Sequence, residues 1–274
     1  MTGVLAAALA PGVNAAGDLR LDGPLVQGGL VTGRTEPGAR VTVNGRDVRV
    51  SERGVFLIGF ARDAKPTATL RIRYPGGGET RKSLPIKQRD YKVQRINGLP
   101  SRKVTPIPED LARIKNDNAK IAGVRRRDTP VTGFASGFQW PATGPLSGVF
   151  GSQRILNGKP KNPHNGVDVA APHGAPVTAA ADGTVALVHP DMFYTGKTVM
   201  IDHGHGLSSV YVHMDKILVR DGQRVSKGTP IGAVGKTGRV TGPHLHWGLS
   251  LFDVHLDPSL VVGPMSASAK TKGG

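Results

Sequence analysis

The nine histidines of this 274-residue chain are not spread evenly: eight of them, His164 to His246, fall within 83 positions. Imidazole binds metals and moves protons near neutral pH, so the cluster is where chemistry is sought first. His164-Asn165-Gly166-Val167-Asp168 pairs an imidazole with a carboxylate. Both are zinc ligands, needing metal distances near ~2.0–2.2 Å. In an extended strand four residues span about 13 Å, too far to share one ion, so the pair works only if the chain bends at Asn165-Gly166. Gly242-Pro243-His244-Leu245-His246-Trp247-Gly248-Leu249-Ser250-Leu251 alternates with period two. Leu245, Trp247, Leu249 and Leu251 point one way and His244, His246, Gly248 and Ser250 the other. The two imidazoles then stand ~6.6 Å apart along one strand face. Both could bind one metal, or one could bind it while the other acts on substrate. In Ser208-Ser209-Val210-Tyr211-Val212-His213 the same alternation turns Val210 and Val212 to the core, and Ser209, Tyr211 and His213 to the opposite face, within reach of that cleft.

All four glutamates, Glu36, Glu52, Glu79 and Glu109, precede position 110. The helix of zinc proteases that carries a glutamate base is therefore excluded from the histidine-rich half. A metal hydrolase here needs His or Asp as base. Zinc with three protein ligands keeps an open position for water and lowers its pKa toward ~7, and a neutral imidazole takes the proton. His203-Gly204-His205 has the same spacing as His244-Leu245-His246, but its glycines mark a turn between strands. His173, His189 and His255 read as surface or loop histidines.

The elements that must hold these residues are short strands and turns. From Asp18 to about Arg89 the chain reads as a small β-sandwich. Arg40-Val41-Thr42-Val43 and Val48-Arg49-Val50 flank an Asn44-Gly45 turn, Val55–Phe60 is a buried-type strand, and Leu70, Ile72 and Tyr74 share a face. Pro108-Glu109-Asp110 opens a helix with Leu111, Ile114 and Ile121 on one face, ending near Ala122-Gly123. Beyond Val131 the rhythm is β again.

His164-x-x-x-Asp168, Tyr211-Val212-His213 and His244-Leu245-His246, in that order, resemble the lysostaphin-type (LytM-type) zinc peptidases of family M23. Ser147–Gly151, Gly174–Val177, Ala180–Val185, Ile201–Leu207, Gly222–Val225 and Thr237–Pro243 add to the likeness, which covers roughly 140–260. The resemblance implies an all-β, mainly antiparallel chain. It comprises a β-sandwich at 18–90, a connector with one helix at 91–130 and an antiparallel peptidase domain at 131–265. It further implies that His164, Asp168 and His246 hold Zn2+, that His213 and His244 are the non-ligand catalytic pair, and that the substrate is the peptide stems of peptidoglycan. Gly98-Leu99-Pro100 and the front domain resemble Gram-negative members with an appended sandwich. An Ala-, Arg- and Gly-rich composition points the same way, favouring a D-alanyl–diaminopimelate bridge over a pentaglycine one.

Composition sets the remaining expectations. With 38 Gly and 21 Pro and only 5% aromatics, the composition argues against a helical bundle or coiled coil and leans toward β-structure with many turns. The absence of cysteine excludes a disulfide scaffold, Cys-ligated zinc and a Cys nucleophile. No run of 18 apolar residues is present. The net charge is +16, and residues 1–130 carry 24 basic against 12 acidic residues, a net +12. That half suits a polyanion such as an anionic wall polymer or membrane surface; nothing points to a specific nucleic acid. Arg125-Arg126-Arg127 reads as a solvated loop. Residues 1–17 read as the tail of a signal peptide or a disordered N-terminus, 266–274 as a disordered tail, and the whole as exported to the periplasm or cell envelope. The rival readings are a non-catalytic regulator that activates another cell-wall hydrolase, marked by a missing ligand, and a polyanion-binding structural protein.

Overall fold

The computed structural model describes residues 19–265; the expectations for 1–17 and 266–274 lie outside the described residues. The architecture is all-β and mainly antiparallel, as expected. In the front part a three-stranded sheet (Arg20–Asp22, Leu30–Arg34, Val55–Gly59) faces a four-stranded one ordered Arg46–Val48, Arg40–Val43, Thr67–Arg73, Glu79–Pro85. Alternation builds the core between them: Val31, Val41, Phe56, Leu70, Ile72 and Leu84 are all within 1% of complete burial, while Arg71 and Arg73 on the intervening positions stay exposed. Each such side chain contributes about 1.5–3 kcal/mol by leaving water. The Asn44-Gly45 turn closes its hairpin with φ of 50° and 80° and the register Val43 opposite Arg46, the two-residue type whose twist matches the strands. Gly33 lies under the Phe56 ring, where a Cβ would come within 2.1 Å of it.

The rear part is built on a ten-stranded antiparallel sheet, beside which Gln153–Leu156 and Lys159–Pro160 form a small separate sheet with Val93–Ile96. The main path of the large sheet runs Arg224–Val225, Gly183–Met192, Gly196–Gly204, Leu207–Ile217, Leu245–Leu251, Val167–Val169, Leu146–Gly148. Trp247 and Tyr211, both wholly buried, fill the middle of its core together with Val167, Val169 and Leu245. Leu30 and Leu57 of the front sheet pack on Leu207, Leu249, Leu251 and Leu256 of the rear one. Arg89 reaches Asp257 at 2.8 Å across the same seam.

The connecting stretch contains more than one helix. Val93–Ile96 pairs in parallel with Gln153–Leu156, the one parallel strand pair among the described residues, and Ser101–Val104 forms a further helical turn. The long helix starts at Pro108, as expected, and runs to Arg125. Its buried face differs from the expected one. Leu111 is 56% exposed, and the buried residues are Asp110, Asp117 and Val124. The reason is what lies underneath. Asp117 Oδ2 accepts the Phe193 N–H at 2.7 Å, and Asp110 takes both prongs of Arg102 at 2.7 Å. The helix docks on a loop by hydrogen bonds, and only its last turns reach the apolar group of Val124, Ala186 and Met200.

Candidate metal centre

Sheet register brings the candidate residues together. Asp168 lies directly opposite His246 in the antiparallel pair of Val167–Val169 with Leu245–Leu251, and Val212 lies opposite His246 on its other side. Directly opposed residues on one face have Cβ atoms about 4.5–5.5 Å apart. His164 arrives through a bend at Gly166, the bend its motif requires. A Cβ at Gly166 would lie 2.9 Å from His246 Cε1 and 2.4 Å from the Trp247 carbonyl. Gly148, paired with Asp168, is tighter: a Cβ there would stand 2.3 Å from Asp168 Oδ2.

Three side-chain atoms converge: His164 Nε2 to His246 Nδ1 at 2.9 Å, His246 Nδ1 to Asp168 Oδ1 at 2.8 Å, and His164 Nε2 to Asp168 Oδ1 at 3.1 Å. All three residues are buried. The His164 tautomer follows from its other nitrogen. Nδ1 faces the Val149 carbonyl at 3.1 Å; a carbonyl only accepts, so Nδ1 carries the proton and Nε2 turns a lone pair inward. Protons cannot bridge all three edges of such a triangle of acceptors, whereas one cation at its centre meets every lone pair at once. The donor set, two imidazole nitrogens and a carboxylate, therefore fits a metal ion. Burial alone would raise the Asp168 carboxyl; its polar surroundings, His164 and His246 first, outweigh it and hold Asp168 well below the ordinary carboxylate value, so it stands as a carboxylate. Burial pushes His246 down to about 4, so it is neutral and able to ligate.

His213 and His244 stand beside this triangle, their rings 4.9 Å apart. His213 Nδ1 faces the Thr237 carbonyl at 2.8 Å, and His244 Nδ1 the Gly242 carbonyl at 3.0 Å. By the same argument each keeps its Nε2 lone pair free. His244 Nε2 is 3.9 Å from Asp168 Oδ1. Burial first, then the neighbouring rings of His244 and His246, hold His213 well below the usual imidazole value.

Strict alternation misplaces the His213 strand. Tyr211, assigned to the cleft, is in the core against Trp247, while Val210 and Val212, assigned to the core, line the cleft together with His213. Tyr211 pairs with Val199 and Met214 with Lys197, so Val212 and His213 together oppose the single residue Thr198. This β-bulge, with His213 at φ 65°, turns His213 onto the face of its neighbour Val212. The His244–Leu251 strand does alternate as expected, but its polar face is covered and all seven residues of Leu245–Leu251 are buried. His203 and His205 are elsewhere. His203 is a strand residue rather than part of the turn, wholly buried, its ring between the Asp182 carbonyl and Ser209 Oγ, both at 2.7 Å. His205 occupies the turn, its ring 5.1 Å from that of Phe134. His173 is exposed, as expected, but His189 and His255 lie in strands, and His255 is half-buried.

Sequence reasoning missed the arginines. Arg154 Nη2 donates to Asp168 Oδ2 at 2.5 Å, and Arg239 lies over the Tyr194 ring at 4.5 Å. No local spacing rule announces either; the basic excess was the only signal. The cleft they line has a volume of about 610 Å³. A smaller cavity, about 160 Å³, separates Gln94, Ile96 and Leu99 of the connector from Asp168, His213 and His244.

Residues 162–258 match the profile of peptidase family M23. A crystal structure from Pseudomonas aeruginosa described as that of a peptidase M23 superposes with a TM-score of 0.65 at 35% identity, covering 86% of this chain and 94% of that one. The chain belongs to family M23. The Vibrio cholerae protein named peptidoglycan DD-endopeptidase ShyA is 45% identical over 112 residues, 40% of this chain and 25% of that protein. The Neisseria meningitidis protein named DD-carboxypeptidase/endopeptidase Mpg is 41% identical over 101 residues, 37% of this chain and 23% of that protein. The chain thus spans about a quarter of the length of these relatives.

Proposed function

We propose that this protein is a zinc-dependent endopeptidase that hydrolyses peptide cross-links of peptidoglycan, at D-alanyl–diaminopimelate bridges. The observation that carries the reading is the triangle of His164, Asp168 and His246 beside two imidazoles with free Nε2 atoms. The relatives named DD-endopeptidases support the substrate class. Zinc held by the triangle would supply Lewis acidity and an acidified water. His213 and His244 do the proton work. Each has Nδ1–H committed to a backbone carbonyl, so a proton arriving at Nε2 makes an imidazolium whose Nδ1–H bond strengthens. At His213, which burial holds below the usual imidazole value, the proton is also returned readily, here to the leaving amine. Arg154 holds Asp168 in place through the carboxylate oxygen turned away from the triangle. A non-hydrolytic regulator would lack a member of the set, and all five are present.

In this reading residues 18–90 form a β-sandwich unit, joined through 91–130 to the peptidase unit at 131–265, and the protein works in the cell envelope. A relative from Pseudomonas aeruginosa named as a lipoprotein NlpD/LppB homolog, 38% identical over 112 residues, supports that location. Among the described residues no helix is long and apolar enough to cross a membrane. The +12 front half would draw the protein to an anionic wall polymer or membrane surface. Co-sedimentation with cell walls should then weaken steeply with salt, since charges are screened beyond roughly 8–10 Å; salt-independent binding would refute that part. The catalytic reading is tested by digesting purified peptidoglycan and identifying the muropeptides. Loss of D-alanyl–diaminopimelate dimers, with matching gain of monomers, is expected. Glycan fragments with intact dimers would overturn it.

A further inference from the structure

The cleft contains more positive charge than the protein itself answers. Arg125, Arg154, Lys161 and Arg239 line it; the one carboxylate on the adjoining cavity, Asp168, is already engaged in the triangle, and Asp253 answers Arg125. Lys161 Nζ is satisfied by the Val104 carbonyl at 2.8 Å. Arg154 and Arg239 are not. Arg154 gives Nη2 to Asp168, but its Nε is buried without a partner. Among the described residues Arg239 has no carboxylate partner; its guanidinium rests on the Tyr194 ring, and its one hydrogen bond there is made by its backbone N–H. Both arginines border both cavities, so they stand where the two meet, next to Asp168 and His213. They are close enough to repel: burial above all lowers the Arg239 guanidinium, Tyr194 partly offsets it, and the charge of Arg154 adds to the lowering. Two like charges sharing a partly desolvated wall are unfavourable unless an anion joins them. A guanidinium fork is shaped for a carboxylate.

Resting on the endopeptidase reading, we infer that Arg239, with the unpaired edge of Arg154, is the specificity determinant of the cleft: it binds a free carboxylate on the carbon that bears the scissile amide nitrogen. The position follows from the chemistry. Such a carboxylate is two bonds from the nitrogen being released, so its receptor must adjoin the metal triangle, and Arg154 is hydrogen-bonded to one corner of it. A D-alanyl–diaminopimelate bridge carries a carboxylate at that carbon. An internal bond of a pentaglycine bridge carries none. Arg239 would thus let the cleft tell the two bridge types apart by charge and not by shape alone.

The test uses the full zinc-loaded chain and two synthetic cross-linked stem peptides, one with the free carboxylate beside the scissile nitrogen and one with a carboxamide there. The wild type should prefer the carboxylate in kcat/KM by about tenfold to a hundredfold, the worth of a charge-assisted bidentate contact. Arg239→Gln should reduce the preference to within about twofold, and Arg239→Lys should restore part of it. Equal rates on the two peptides in the wild type, or an undiminished preference in Arg239→Gln, would overturn the inference without touching the endopeptidase reading. If neither peptide is cleaved, that reading fails. Dissociation constants of the same peptides then decide the inference: tenfold tighter binding of the carboxylate supports it and equal binding overturns it.

Discussion

His213 combines a buried ring, a tautomer fixed by the Thr237 carbonyl and a left-handed backbone at φ 65°. A non-glycine residue held there costs about 1–3 kcal/mol, and the adjoining strands hold it by pairing on both sides of the bulge. The strain turns the ring toward the metal triangle without making it a fourth corner. His213→Ala should therefore lower turnover by on the order of 10²–10⁴ while bound metal, measured by elemental analysis, stays constant. Near-wild-type turnover would remove His213 from the mechanism. The residue types of the triangle were legible in the sequence because their spacing forces a choice: His164 and Asp168 meet only if Gly166 bends, and it does. The orientation of His213 was not, because a bulge leaves no mark in an alternating pattern. Arg154 and Arg239 were hidden among 36 basic residues that only the folded chain sorts into surface and cleft.

At the scale of elements, the site depends on strands that approach closely. Gly148, on the edge strand Leu146–Gly148, is the gap into which the Asp168 carboxylate fits. Gly148→Ala would drive a methyl into Asp168 Oδ2, displacing it from both the triangle and Arg154. Metal affinity should fall about 10–100-fold, the effect usual for disturbed support of a ligand, in competition with a chelator of known affinity. Unchanged affinity would mean that the strand edge yields freely. Alternation read the Leu245–Leu251 strand correctly because one face meets the core of Trp247 and Tyr211. Helical spacing found the Pro108–Arg125 helix but not its docking face, since buried Asp110 and Asp117 are anchored by Arg102 and the Phe193 amide. A helix that docks through carboxylates shows no apolar stripe.

At the scale of the whole molecule, buried imidazoles set the response to acid. Burial lowers His203, His205, His213, His246 and His255, the last two to about 4 against an ordinary 6.5. For His255, Arg125 adds to the effect. Between pH 6.5 and about 4 the unfolded chain binds more protons than the folded one, so stability rises with pH across that window and falls as pH drops through it. For His246 and His255, whose window is set by these values, the contribution is up to about 1.4 kcal/mol per pH unit. The denaturant midpoint should fall between pH 7 and pH 5, and His255→Gln should flatten the fall; an identical slope in the variant would contradict the burial argument. The sandwich and the connector were expected from turn chemistry and helix signals and the peptidase unit from the family resemblance, whereas the parallel strand Val93–Ile96, which brings the connector to the rim of the site, had no local signal because its partner at Gln153–Leu156 is distant in sequence. The central claim, that one zinc held by His164, Asp168 and His246 runs a cell-wall endopeptidase, is tested most directly by titration. Protein stripped of metal is mixed with cross-linked peptidoglycan, zinc is added stepwise, and release of monomeric muropeptides is followed. Activity that is absent at the start, rises to a plateau near one equivalent and never returns in His246→Ala is the predicted result; full activity in the stripped protein, or zinc-restored activity in His246→Ala, would contradict it.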